Sequence, residues 1–436
     1  MKIVNPYAAG IDVGSKSHFV ALGQEKNEVF EFGVFTKDYK KLIEFLHLHN
    51  VETIAMESTG SYWQTLFFAL QDAGFEVLLV SGHQTKNVRA KTDVKDSQWI
   101  QKLHSLGLLR GSFLPSEETA RIRILYRHRI SLIEEAAKMS NKMQKALRLM
   151  NLRLDNVISD ITGKSGMTII TAILNGERKG DALSMLADSR VKKTKKQIAD
   201  ALQGDWSEEY LLELKDCYDI YFLLQEKIKN IDKNIEKLLS DFTAKSHHTI
   251  DRKKLTTKQI KGKNQPRIDL PYLSYLYYGV DLFAIEGVSV GTVLTLISEI
   301  GDGIYKFQSA KQFTSFLRLA PNNRISGGKI ISSRTPKGSN RLTLALRNAA
   351  NTIDNRKSGA LYLFFKRIAY RKGRAAAITA TARKLAVIIW NMIIKKQAYN
   401  PPNNDEYLLS MKQRRIKIIK NIMMKNKIAM SELSVN

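Results

Sequence analysis

Residues 8–80 set the tightest limit on the fold. Two strand-like runs, AAGIDVG and HFVALGQ, flank a Gly-Ser-Lys-Ser turn and predict a hairpin. EVFEFGVF reads as a third strand. Helical spacing then appears at Leu42, Phe45, Leu46 and Leu48. VETIAMES is a short strand, SYWQTLFFALQDAG a helix stopping at Gly74, and FEVLLV a buried strand. Three early strands followed by alternating helix and strand predict a mixed α/β sheet.

The remainder is helical in pattern. A long helix rich in Arg, Lys, Leu and Ile is predicted from about 117 to 154, followed by short helical pieces and Gly breaks over 155–205. A second long helix over 207–241 carries an apolar stripe through Leu211, Leu214, Tyr218, Tyr221 and Leu224. Two such helices are expected to pair as an antiparallel coiled coil or to pack between subunits. The stretch 251–267, DRKKLTTKQIKGKNQPR, reads as a basic loop or linker. AIEGVSVGTVLTLISEIGD opens a further unit near 283, with a Gly-rich bend like a helix-hairpin-helix turn or a helix-packing turn. A loop, RISGGKIISSRTPKGSNR, follows at 324–341. Helices are then predicted near 340–354, 357–371 and 374–396. After Pro401 and Pro402 the tail is an amphipathic basic helix or arm.

The chain is long for a single core, so two or three domains are expected from its 436 residues. It carries 69 Lys and Arg against 42 Asp and Glu, a net charge of +27 spread through every region. That excess implies a polyanionic partner, most often nucleic acid. The single cysteine, Cys217, excludes a disulfide framework and a cysteine zinc site. The N-terminus lacks the pattern of a signal peptide, and no uncharged apolar run of about 18 residues is present. A cytoplasmic, nucleoid-associated protein is expected.

Against this basic background the placement of four acids stands out. In the first strand Ala9, Ile11 and Val13 point one way, so Asp12 points the other, with Gly10 and Gly14. Such an acid is costly to bury unless it is paired or binds a cation. Glu57 ends the strand VETIAMES. Asp93 and Asp96, in KTDVKDSQWI, open a helix at a spacing that puts both on one face. Taken singly each has a plain alternative: Asp93 as a helix N-cap, Asp96 as a dipole partner, Glu57 as a solvated strand end. Taken together they form a set that repels itself unless cations intervene. Magnesium fits, because two such ions about 3.5–4 Å apart clamp a phosphate in phosphoryl transfer. Arg89, Lys91 and Lys95 would then meet a nucleic-acid backbone. His18, His83 and His104 show no ligand spacing.

With those residues in place, the chain resembles the DEDD transposases of bacterial insertion sequences, the IS-one-ten (IS110) family, regarded as bridge-RNA-guided DNA recombinases. The acidic positions match GIDVG (Asp12), AMESTGSY (Glu57) and KTDVKD (Asp93 and Asp96). The family's C-terminal domain matches FAIEGVSVGTVLTLISEIGD, FTSFLRLAPNNRISGGK and RTPKGSNRLTLALRNAA, and VISDITGKSGMTII and ALQGDW also fit. The resemblance implies an α/β RuvC-like (RNase H-type) N-terminal domain over 1–113. A long-helix, coiled-coil middle region with a basic linker would span 114–282. A mostly α C-terminal serine transposase domain would follow over 283–400, and a basic tail over 401–436.

The same resemblance places a catalytic serine at Ser326. The residues suit the role: Gly327 and Gly328 let a backbone approach a phosphate closely, and Lys329, Arg334, Lys337 and Arg341 surround it with positive charge. Ser-Gly-Gly as a turn in a basic DNA-binding loop is the plain alternative, and Ser332 and Ser333 are rival hydroxyls. The resemblance further implies attack of Ser326 on a DNA phosphate with a covalent phosphoserine link. It implies Mg2+ on Asp12, Glu57, Asp93 and Asp96, and a structured non-coding guide (bridge) RNA that selects donor and target DNA. Dimers pairing into a tetramer through the helical middle region are expected. A metal-dependent RuvC-like junction nuclease, using the carboxylates without Ser326, is the rival enzyme. A non-catalytic nucleic-acid-binding protein is the rival outside catalysis. The middle region, about 155–280, is longer than in the shortest family members.

Overall fold

The structure, a computed structural model, describes residues 2–23, 28–85, 92–257 and 262–426. The chain divides into two compact units, Met1–Leu114 and Pro115–Asn436.

The first unit is built on the predicted strand pattern. Strands β1 (Ala8–Val13), β2 (Ser17–Leu22) and β3 (Glu28–Gly33) form an antiparallel meander. Helix α1 (Thr36–Leu48) leads to β4 (Thr53–Glu57), and α2 (Trp63–Asp72) leads to β5 (Glu76–Val80). The sheet order is β3-β2-β1-β4-β5, with β4 parallel to both β1 and β5. This is the mixed sheet of a RuvC-like, RNase H-type domain. Short α3 (Gly82–Thr85) and α4 (Asp93–Ser105) complete the unit. One face of the sheet presents Ile11, Ile54 and Met56 to Leu42, Leu46, Leu66 and Leu70 of α1 and α2, all fully buried. Burial of such side chains contributes roughly 1.5–3 kcal/mol each. The opposite face receives α4.

The second unit is almost wholly helical. Helix α5 (Glu117–Leu149) is capped by Ser116, whose hydroxyl accepts from the Thr119 amide, and Glu117 and Glu118 complement its dipole. It stops earlier than its periodicity predicts, because Asn151 takes the left-handed conformation, φ 55°. Short helices α6 (Leu154–Val157), α7 (Lys164–Leu174), α8 (Gly180–Met185) and α9 (Lys195–Ala201) precede α10 (Glu208–Thr243). Helices α5 and α10 are antiparallel partners. Arg121 stacks on Phe242 at one end, Arg129 pairs with Asp232, and Met143 and Leu147 share a core with Leu214 and Cys217 at the other.

The rest comprises α11 (Leu270–Tyr278), α12 (Val290–Glu299), α13 (Ala310–Phe316), β6 (Arg324–Ser326), β7 (Lys329–Ser332), α14 (Arg341–Ile353), α15 (Ala360–Lys372), α16 (Arg374–Lys395) and α17 (Asn404–Asn426). The bend before α12 acts as a packing turn. Gly287 holds φ 79°, and a Cβ there would strike the Ala349 carbonyl of α14. Among the described residues α16 is long and apolar enough to cross a membrane by length and composition. Arg383 and Lys384 interrupt it midway, and Leu385, Ile389 and Ile393 are buried, which makes it the central core helix of this unit.

Candidate active site

The register of the first sheet brings two of the four acids together. Gly10 pairs with Ala55 and Ile11 with Met56 across the parallel β1–β4 ladder. One further step sets Asp12 beside Glu57, at the adjacent-strand spacing of about 4.8 Å between backbones. The alternation that buries Ile11 and Met56 turns Asp12 and Glu57 to the other face, where both are half-buried.

Helix α4 crosses that same face against the direction of β1. Gln101 Nε2 donates to the Ala8 carbonyl at 3.2 Å, and His104 Nε2 meets Thr53 Oγ1 at 2.9 Å. Gly10 lies flat against the backbone of Ser97 and Gln101, where any Cβ would collide with the Gln101 amide. The C-terminal half of α4 therefore covers the strand starts, and its first turn points toward the strand ends that carry Asp12 and Glu57. Asp93 and Asp96 occupy that first turn, the former exposed and the latter half-buried. The N-cap is Thr92, whose hydroxyl accepts from the Lys95 amide at 3.3 Å. Capping thus makes no demand on Asp93.

Glu57 is oriented from α3. Thr85 Oγ1 donates to Glu57 Oε2 at 2.6 Å. Gly82 leaves room for the other oxygen, since a Cβ there would strike Glu57 Oε1. Neither residue was singled out from the sequence, although the short SGHQT run directly after a buried strand was a legible signal. Among the described residues no group of three or more His, Cys, Asp or Glu side chains stands together closely enough to hold a metal ion. Asp12 and Glu57 are neighbours on the ladder, while Asp93 and Asp96 are not gathered into one group with them. Burial pushes the His18 and His104 imidazoles below their ordinary range. Arg89 and Lys91 lie outside the described residues.

In the second unit, the segment read from sequence as a loop is a hairpin. Gly327 and Gly328 both adopt positive φ, 54° and 73°, which makes the two-residue turn that matches strand twist. Ser326 pairs with Lys329 directly across it, so hydroxyl and ammonium share one face of the exposed tip. Ser332 is half-buried and its hydroxyl accepts from the Arg334 amide at 3.4 Å. The hairpin is tethered at its base by the Asn322 amide to the Arg334 carbonyl, 3.0 Å. Arg318 donates to the Lys337 carbonyl, which fixes the following loop.

The cations around Ser326 divide into two kinds. Lys329, Arg334 and Lys337 form no ion pair among the described residues. Arg341, at the start of α14, faces Glu299 at 3.8 Å. Glu299 is shared with Arg127 at 2.7 Å and Arg123 at 3.5 Å. Helix packing also gathers Arg371, Lys372, Arg383 and Lys384 beside Arg334 in a cleft that the sequence reading did not anticipate. Their only mark in the sequence is a pair of dibasic steps, RK and RK, on consecutive helices.

Comparison with known proteins now bears on this geometry. Residues 9–152 match the model of the DEDD transposase of IS110 elements, described as a transposase. Residues 281–364 match the model described as transposase IS116/IS110/IS902 family. The insertion element IS110 uncharacterized 43.6 kDa protein of Streptomyces coelicolor is 23% identical over 332 residues, which is 74% of this chain and 77% of the relative. The transposase for insertion sequence element IS1111A of Coxiella burnetii is 29% identical over 120 residues, 27% of this chain and 33% of the relative.

Proposed function

The chain belongs to the IS110 family of insertion-sequence transposases, and on that premise we propose that it cuts and rejoins DNA by a phosphoserine route. The observation that carries the reading is the adjacency of Asp12 and Glu57 on the β1–β4 ladder, on the face that α4 crosses with Asp93 and Asp96 in its first turn.

Asp12 and Glu57 would hold Mg2+; Asp93 and Asp96, expected to join them, stand apart in the first turn of α4. When bound, such an ion polarises a phosphate oxygen and offsets developing negative charge. Thr85 and Gly82 keep the Glu57 carboxylate aimed. Ser326 Oγ attacks a DNA phosphorus and loses its proton. An O–P bond forms to serine, the P–O bond to one strand breaks, and the departing oxygen takes up a proton. Joining reverses this: a strand hydroxyl attacks the phosphoserine and frees the serine. Lys329, directly across the turn, stabilises the charge on the phosphoryl oxygens, supported by Arg334 and Lys337. Arg341 contributes less, because Glu299 already faces it.

DNA at the element's ends and at its target is the substrate. A structured non-coding RNA selects it by base pairing, and the protein reads RNA shape and backbone. The charge of +27 supports a particle carrying both polymers. A dimer or tetramer joined through the middle region, acting at the nucleoid, completes the reading.

The test is an excision and insertion assay in cells with the element's native flanks. Wild type is compared with Ser326→Ala and Asp12→Ala at matched protein levels. Both variants are expected to lose joined products. Continued joining by Ser326→Ala would sink the serine assignment and favour a carboxylate-only junction nuclease.

A further inference from the structure

Beside the Ser326 hairpin, within the second unit, the segment that follows β7 faces α15 and α16 across a cleft of about 840 Å³. Its cations are Arg334, Arg371, Lys372, Arg383 and Lys384, and among the described residues no Asp or Glu lines it. Between the cations the wall is apolar, from Leu319, Pro321, Phe364 and Ile368. The floor along α16 is made of small side chains, Ala375, Ala376, Thr379 and Ala380, so a ligand can lie close to the helix.

Lys384 shows how strongly this cleft is biased. Its ammonium sits 4.7 Å from the Phe364 ring centroid and 5.5 Å from that of Tyr407. Burial, then repulsion from Arg367 and Arg414, pulls it below the ordinary lysine range, with Glu286 opposing. Arg367, also over Phe364, turns one nitrogen to the Met411 sulfur rather than to a carboxylate. Cations brought together this way repel one another, and the repulsion is relieved by a bound polyanion.

We infer that this cleft binds a short unpaired stretch of nucleic acid, its phosphates on Arg334, Lys372 and Arg383 and its sugars and bases against the apolar wall. Single strands are held in this way, by a cationic track combined with aromatic and apolar surfaces. A cleft of about 840 Å³ lies in the range of about 300–1,000 Å³ that takes compact ligands, which favours a few unpaired nucleotides over a duplex. The inference rests on the reading of the chain as a DNA-handling transposase. It adds to that reading that an unpaired strand is gripped next to the hairpin. DNA and RNA present the same phosphate chemistry here.

The experiment measures binding by fluorescence anisotropy on the purified full chain across a salt series. Probes are labelled oligothymidylate, oligouridylate and a blunt duplex of equal length. Lys372→Gln/Arg383→Gln is compared with wild type and with Lys192→Gln/Lys193→Gln, an exposed pair elsewhere of equal charge. The cleft variant should bind single strands about tenfold more weakly. Its plot of log affinity against log salt should lose about 0.7 in slope per lost phosphate contact. Duplex affinity should change less than about twofold in this charge-neutralised pair, as counterion release is spread over many other cations. A loss confined to oligouridylate assigns the cleft to RNA, a loss confined to oligothymidylate to a DNA strand, and equal losses to both. Unchanged single-strand affinity and slope, or an equal loss in the control pair, would overturn the inference. Should the double variant unfold, Arg371→Gln at an exposed position repeats the test. Ser326→Ala, run in parallel, keeps single-strand binding. If it still joins DNA the catalytic reading fails and the cleft stands; if it is dead while the cleft variant binds normally, the reverse holds.

Discussion

Arg129 of α5 and Asp232 of α10 form an ion pair sealed between the two long helices, with side chains 3% and 11% exposed. Arg129 also donates to the Asn264 carbonyl at 3.0 Å, so the pair ties a third segment to the helices. Asp232→Ala leaves the guanidinium buried without its carboxylate. A loss of about 3–5 kcal/mol is expected, read by denaturant unfolding of the full chain. Arg129→Met/Asp232→Leu should recover most of it, because the cost lies in the unpaired charge. A double variant as unstable as the single one would show that the pair is valued for more than charge balance.

Gly10 and Gly82 are both close contacts, yet their alanine variants should part company. At Gly10 the obstacle is the backbone of α4, which must move bodily. Gly10→Ala should destabilise the first unit by about 1–3 kcal/mol or more and lower soluble yield. At Gly82 the obstacle is the end of the Glu57 side chain, which can rotate away. Gly82→Ala should therefore keep its unfolding temperature while joined DNA product disappears.

Thr85→Val removes the hydroxyl that donates to Glu57 and preserves side-chain shape. A hydrogen bond to a charged acceptor contributes about 1.5–3 kcal/mol, so joining should slow by roughly tenfold or more. Thr85→Ser retains the donor and should restore the rate. Equal activity in the valine and serine variants would show that Glu57 is oriented by something else.

Ser326 and Ser332 sit on the same hairpin in different surroundings, the first exposed at the tip and the second half-buried. Denaturing gels after reaction with labelled DNA should show a covalent adduct for wild type and Ser332→Ala. No adduct is expected for Ser326→Ala. An adduct that vanishes with Ser332→Ala instead would move the nucleophile.

Acid should weaken the first unit. Burial holds His18 and His104 below the ordinary imidazole value of 6.5, and Glu76 only partly opposes this at His104. Unfolded imidazoles bind protons first as pH falls through 6.5, so stability is full above that value and drains away below it. Among the described residues, neither ring nitrogen of His18 has a hydrogen-bond partner. His18→Phe should flatten the fall in unfolding temperature between pH 7.5 and pH 5.5, whereas wild type loses several degrees.

Much of this protein was legible in its residues. The period-two alternation of AAGIDVG fixed which face Asp12 takes, and the order of strand and helix patterns implied the mixed sheet. The spacing of Asp93 and Asp96 placed them in one helical turn. These are local properties, set by backbone geometry over a few residues.

What the sequence could not convey is which distant residues meet. That Asp12 stands beside Glu57 depends on the β1–β4 register, chosen by the burial of Ile11 and Met56 under two helices. The support of Glu57 by Thr85 and Gly82 depends on where β5 ends against β4. The turn at Ser326 was expected as a loop, and only the pairing of Arg324–Ser326 with Lys329–Ser332 makes it a hairpin that holds Lys329 across from the serine. The cationic cleft needs α15 and α16 to pack with their basic steps facing the segment after that hairpin. Such contacts are selected by the fit of a whole core, a sum of many weak burial terms. No short stretch of sequence carries that sum, and the tertiary structure alone decided it.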